Sequence, residues 1–209
     1  MNQFSDKQIK KALAPYVIAA DANLCSQIRT YITLLLKWNE TISLTTVTDP
    51  AEILRFHFGE SLFALSAVPL RESRLADVGP GAGFPGMALA MASPSLDVTL
   101  IESNLRKCVF LAEVARSVNI PNAEILRSRV EDLPAGTSPF DFITARAVGH
   151  HDSLLAWAKL HLTKSGALVL WLGEGDASKV AKNIGWQWRK PMLIPGSGQR
   201  YLLVGCPHE

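Results

Sequence analysis

Residues 76–90 read ADVGPGAGFPGMALA, which places Gly79, Gly81, Gly83 and Gly86 within eight positions between an apolar run and a helical pattern. Gly81, Gly83 and Gly86 satisfy the G-x-G-x-x-G spacing of nucleotide-binding turns. A loop so poor in side chains lets backbone touch a ligand and adopt positive φ, and the helix that follows offers unpaired N–H groups. About twenty residues further on, the run DVTLIE ends in Glu102, where a carboxylate can accept hydrogen bonds from both hydroxyls of a ribose. Asp77, Gly79, Gly81, Gly83 and Glu102 are therefore candidate contacts for an adenosine-bearing ligand. NAD and S-adenosylmethionine both carry that group, and these residues alone do not separate them.

Two further stretches bear chemistry. SRVEDL at 128–133 puts Glu131 and Asp132 after a third apolar run, where a carboxylate and backbone groups can meet the exocyclic amine of an adenine. FDFITARAVG ends a fourth run with Arg146, a guanidinium at the mouth of the same cleft. Enzymes that methylate an exocyclic amine often carry an N-P-P-Y type motif there, whose oxygens accept the amine hydrogens. TARAVG has none, which argues against an exocyclic amine as the acceptor.

The elements that must hold these residues follow from the periodicity. From Leu75 the chain alternates short, wholly apolar runs with helical patterns: LADVG then GMALAMA, DVTLIE then LRKCVFLAEVARSV, AEILR, FDFITARA then HDSLLAWAKLHL, ALVLWL then DASKVAKNI. Strands apolar on both faces predict a parallel sheet covered by helices, a doubly wound fold with its ligand at the carboxyl ends of the strands. WQWRKPMLI and QRYLLVGC, joined by PGSG, predict a terminal hairpin. A dehydrogenase needs further strands and a substrate domain, and after the last parallel-strand candidate only this hairpin remains. An antiparallel finish resembles the class I methyltransferases, an α/β fold with a Rossmann-like, mostly parallel seven-stranded sheet.

Before the sheet, residues 1–72 read as an N-terminal helical extension, with residues 73–209 as the methyltransferase domain. Ser5 with Gln8 forms a capping box; Leu24, Ile28, Tyr31, Leu35 and Trp38 line one helix face ending near Asn39; Asp49 and Pro50 open a third helix running to about Leu65.

Composition excludes several classes. A hydrophobic fraction of 48% and a charged fraction of 19% fit an ordinary globular chain. No apolar stretch approaches membrane-spanning length, and the N-terminus lacks the apolar centre of a secretory signal. Cys25, Cys108 and Cys206 lack the spacing of a disulfide framework or zinc site, so no metal is expected and a reducing cytoplasm fits. A net charge of +2 announces no nucleic-acid binder by itself, and a monomer is the default.

LADVGPGAGFPGMALA, SRVEDL and FDFITARAVG, with the upstream KWNETISLTTVTDPAEILRFHFGESL, resemble the glucose-inhibited division protein B family. That family comprises bacterial methyltransferases that modify guanine N7 in 16S ribosomal RNA. The resemblance runs from about Leu34 to Arg146 and returns weakly at QRYLLV. It implies S-adenosylmethionine as cofactor, held by Gly79, Phe84, Val130 with Glu131, and Arg146, with Glu102 on the ribose. It also implies 16S ribosomal RNA or the small ribosomal subunit as partner. Asn39 and His57 match positions bordering the pocket and stand, with Arg146, as candidate catalytic or substrate contacts. Three departures stand out: Pro80, which lacks an N–H donor beside the cofactor; Glu60, where aspartate is commoner; and Leu172-Gly173, where Lys-Gly is usual.

Guanine N7 has an in-plane lone pair and needs no general base, so the implied chemistry rests on in-line positioning. Arg146 then reads as a donor toward guanine O6. N7 faces the deep, narrow groove of A-form RNA, which places the target in an unpaired region. Arg106, Lys107, Arg127, Arg129, Arg189, Lys190 and Arg200 are candidate phosphate contacts. A methyltransferase for a small molecule or protein, a non-catalytic nucleotide-binding module and an NAD-dependent enzyme stay open beside this reading.

Overall fold

The structure, a computed structural model, describes residues 4–133, 138–147, 149 and 151–208. Its helical start follows the capping chemistry. Ser5 and Gln8 form the reciprocal box at the head of α1 (Asp6–Leu13). Asp21 accepts from the Leu24 N–H at 2.7 Å to open α2 (Ala22–Asn39), which buries Leu24, Ile28, Tyr31 and Leu35 on one face. Asp49 caps a third helical stretch, α3 (residues 50–67), with Pro50 at its first position. This stretch is not a uniform helix: Ile53–Gly59 form a widened π turn before helical geometry resumes at Glu60. Widened turns of this kind recur at functional sites, and here the turn carries His57.

The sheet strands are β1 (Arg74–Val78), β2 (Asp97–Ile101), β3 (Ala123–Leu126), β4 (Phe140–Arg146), β5 (Leu162–Gly173), β6 (Trp186–Trp188), β7 (Met192–Leu193) and β8 (Arg200–Pro207). Their order is β3-β2-β1-β4-β5-β8-β6, with β7 also on β8. Neighbours among β1 to β5 pair in parallel; β8 runs antiparallel to β5, β6 and β7. The expected terminal hairpin is present in modified form. WQWRKPMLI makes two short strands, because Pro191 has no N–H to donate to the ladder, and the sheet has eight strands where seven are expected.

Helices α4 (Gly86–Ala92) and α5 (Leu105–Ser117) pack with α1–α3 on one face; α6 (His151–His161) and α7 (Glu174–Val180) cover the other. The first face forms one cluster running from Ile9 and Tyr31 through Phe84, Phe110 and Phe142 to Trp171 and Val204. The helical extension thus shares its core with the sheet. Among the described residues no helix is long and apolar enough to cross a membrane.

Candidate active site

The glycine loop is built from below. Asp77, the fourth residue of β1, is completely buried; it accepts from the Gly86 N–H at 2.6 Å and from the Thr144 hydroxyl at 2.9 Å. Burial pushes its carboxyl up to about 7 against those two hydrogen bonds. The Met87 N–H is taken by the Gly83 carbonyl at 2.9 Å. The first two N–H groups of α4, expected from the sequence to be free, are therefore already taken by Asp77 and by the loop itself.

Gly79, Gly81 and Gly83 all have positive φ, at 66°, 56° and 90°. They do different work. A Cβ on Gly79 would meet nothing within 4 Å, so its bareness opens space. A Cβ on Gly83 would overlap the Tyr31 hydroxyl, so its bareness admits a tyrosine from α2. Pro80 closes the turn through its carbonyl, which accepts from the Gly83 and Phe84 N–H groups at 2.8 and 3.0 Å. The peptide bond from Phe84 to Pro85 is cis.

Two cavities meet at Gly79. The first, about 440 Å³, is lined by Glu102, Ser128, Arg129, Val130, Glu131 and neighbouring residues. The 3-10 turn Val130–Asp132 presents Val130 and Glu131 there, and Glu131 is exposed. Glu102, 6% exposed, is oriented by backbone donors: Oε1 accepts from the Asn104 N–H at 2.8 Å and Oε2 from the Gly81 N–H at 3.2 Å.

The second cavity, about 260 Å³, is lined by Thr45, His57, Gly81, Phe84, Lys107 and Arg146 among others. His57 stacks on Phe84 with ring centres 4.9 Å apart, and its Nε2 is hydrogen-bonded to the Thr45 hydroxyl at 2.8 Å. Burial, reinforced by the Arg146 and Arg200 charges, lowers its pKa to about 4, so the ring is neutral at neutral pH. Asn39 lines neither cavity. Its Oδ1 accepts from the Leu44 and Thr45 N–H groups at 2.9 and 3.0 Å and its Nδ2 donates to the Thr45 carbonyl at 3.0 Å. Both ends of the amide hold the loop that carries Thr45.

Arg146 closes β4, followed by Ala147 at φ 57°, a conformation that costs an alanine about 1–2 kcal/mol. Its Nη2 donates to Glu60 Oε2 at 3.2 Å, while Nη1 is buried with no partner among the described residues. Burial pulls its pKa down from the usual arginine value.

Of the residues read from the sequence, Gly79, Gly81, Phe84, Glu102, Val130, Glu131, His57 and Arg146 line one cavity or both. Asp77 lies beneath the loop and Gly83 within it, and neither lines these two cavities. Leu172 is buried in the apolar cluster on the opposite face of the sheet. Thr45, Tyr31 and the contacts of Glu60 escaped the reading; Tyr31 showed itself only as one member of an apolar helix stripe. A larger cavity, about 530 Å³, lies between α6 and α7 and holds none of these residues.

The sequence profile described as rRNA small subunit methyltransferase G (GidB) matches residues 24–185. The chain belongs to this family. Among similar proteins, the ribosomal RNA small subunit methyltransferase G of Xanthomonas axonopodis pv. citri is 35% identical over 207 residues, covering 92% of this chain and 96% of the relative. Its counterpart in Stenotrophomonas maltophilia K279a is 37% identical over 191 residues, covering 88% and 87%. Solved structures share the fold of this GidB-family chain at low identity. A SAM-dependent methyltransferase from Aquifex aeolicus gives a TM-score of 0.64 at 16% identity, covering 85% of this chain and 98% of that one. A ribosomal protein L11 methylase from Lactobacillus delbrueckii subsp. bulgaricus gives 0.61 at 15%, covering 74% and 80%.

Proposed function

We propose that this protein transfers a methyl group from S-adenosylmethionine to N7 of a guanine in 16S ribosomal RNA. One observation carries the reading: two cavities that meet at Gly79, with a ribose-competent carboxylate in one and, in the other, a guanidinium whose buried Nη1 has no partner among the described residues. The residues present suit the methyl donor. Glu102 would take the ribose hydroxyls, Val130 and Glu131 the adenine side, and the open space at Gly79 and Gly81 the chain leading to sulfur. When bound, that donor supplies an electrophilic methyl group.

The second cavity suits an acceptor that needs no base. His57, lowered to about 4 and hydrogen-bonded to Thr45 through Nε2, is too weak a base at neutral pH, and Asp77 lies under the loop with both oxygens engaged. Guanine N7 attacks through its own lone pair, so these residues have only to orient the ring and exclude water. Arg146 Nη1 is a donor for guanine O6, beside N7, or for the carboxylate of the methyl donor. Lys107 at the second cavity and Arg129 at the first supply positive charge for RNA phosphates.

The test is cleavage mapping. Ribosomal RNA from a strain lacking this protein and from its complemented parent is treated with borohydride and aniline, which cut at N7-methylguanine, and the ends are mapped by reverse transcription. One small-subunit stop is expected to vanish in the deletion and return on complementation; identical patterns would refute the proposal.

A further inference from the structure

Glu60 lies at the crossing of three distant segments. Its side chain is 1% exposed. Oε1 accepts from Arg200 Nε at 2.9 Å and Nη2 at 2.6 Å, and Oε2 accepts from Arg146 Nη2 at 3.2 Å. The Glu60 backbone carbonyl accepts from the Trp171 indole N–H at 2.7 Å, which fixes this turn of α3 against β5. Arg200 is held on a second side, its guanidinium 4.9 Å from the centre of the Phe56 ring.

The two arginines are held unequally. Arg200 is 40% exposed and places two donors on one oxygen, whereas Arg146 is 18% exposed and makes a single, longer contact. A guanidinium is a rigid planar fork, so fixing one nitrogen together with the stem also limits where the other can point. With Nη2 on Glu60, the remaining nitrogen Nη1 is buried without a partner among the described residues, and Arg146 lines the second cavity.

We propose that Glu60 is a positioning residue that aims the Arg146 guanidinium into the second cavity, with Arg200 as the outer anchor of the carboxylate. The inference rests on the reading of Arg146 Nη1, at the edge of the acceptor cavity, as a donor to the carboxylate of the methyl donor. Glu60 touches no ligand in this arrangement and acts through Arg146.

A double-mutant cycle on S-adenosylhomocysteine affinity tests it, with calorimetric titration of wild type, Glu60→Asp, Arg146→Lys and the double variant, each checked by thermal unfolding. Glu60→Asp withdraws the carboxylate by one carbon and should weaken binding about 3- to 10-fold. Arg146→Lys should weaken it at least as much, and the double variant no further, because both changes remove the same interaction. A purely structural Glu60 would lower the melting temperature and leave affinity unchanged. Wild-type affinity in Glu60→Asp, or losses that multiply in the double variant, would overturn the proposal. If Glu60→Asp does not fold, Arg200→Gln takes its place: freeing Oε1 should weaken binding in the same direction, and unchanged affinity counts against the inference. Failure of the wild type to bind would overturn the donor-site reading and this inference together.

Discussion

The Tyr31 hydroxyl on α2 donates to the Ala82 carbonyl in the glycine loop at 2.7 Å, and the Tyr31 ring stacks on Phe84 with centres 5.3 Å apart. A helix from the N-terminal extension thereby holds the loop whose backbone shapes both cavities. Tyr31→Phe keeps the stack and leaves the buried Ala82 carbonyl unpaired. A loss of about 1–3 kcal/mol is expected in urea unfolding, with weaker S-adenosylhomocysteine binding by calorimetry. Unchanged stability would show that the carbonyl finds another donor.

Gly79 and Gly83 should respond differently to alanine. Gly79→Ala meets no neighbour and bears only the cost of its positive φ, about 1–2 kcal/mol, so the fold survives while donor affinity drops. Gly83→Ala adds overlap with Tyr31 to the same kind of strain, for a total on the order of 2–5 kcal/mol. Thermal melts of the two variants check the order; equal shifts would contradict the geometry.

Glu102→Gln removes a charge that faces two backbone N–H groups and, in the proposed complex, two ribose hydroxyls. Hydrogen bonds to a carboxylate are roughly twice as strong as neutral ones. Affinity for S-adenosylhomocysteine is expected to fall about tenfold or more, with little change in RNA binding measured by filter retention.

Asp77 and His57 give stability opposite pH slopes. The Asp77 value is raised to about 7, so the folded state holds a proton the unfolded chain has released, and stability falls as pH rises from the ordinary carboxylate range through 7. His57 is lowered to about 4, so the unfolded chain gains a proton first, and stability falls as pH drops from about 6.5 toward 4. The slopes oppose one another in mildly acid solution, and above it Asp77 acts alone. Urea unfolding from about pH 6 to pH 8 should show a decline that disappears in Asp77→Asn.

Much of this was legible because local chemistry and tertiary structure agree. Ser5, Asp49 and Pro50 mark helix starts by rules that involve only near neighbours, and all three hold. The wholly apolar runs gave the parallel sheet, and the glycine spacing with Glu102 gave the first cavity. What stayed hidden depends on contacts between distant segments. Tyr31 and Gly83 are complementary in shape across fifty residues, Asn39 looks like a pocket polar group until Thr45 folds onto it, and Glu60 reads as an ordinary acidic residue until Arg200 arrives 140 positions later. Periodicity reports which face a residue takes, but not which partner waits there.

Strand β8 lies between β5 and β6, although the chain reaches it after both. During synthesis, β5 can join its parallel neighbours while residues 200–207 are still inside the exit tunnel, but β6 and β7 have no strand to pair with. The carboxylate of Glu60 has only Arg146 for company until then. The site is therefore completed late, by the strand that brings Arg200 to Glu60.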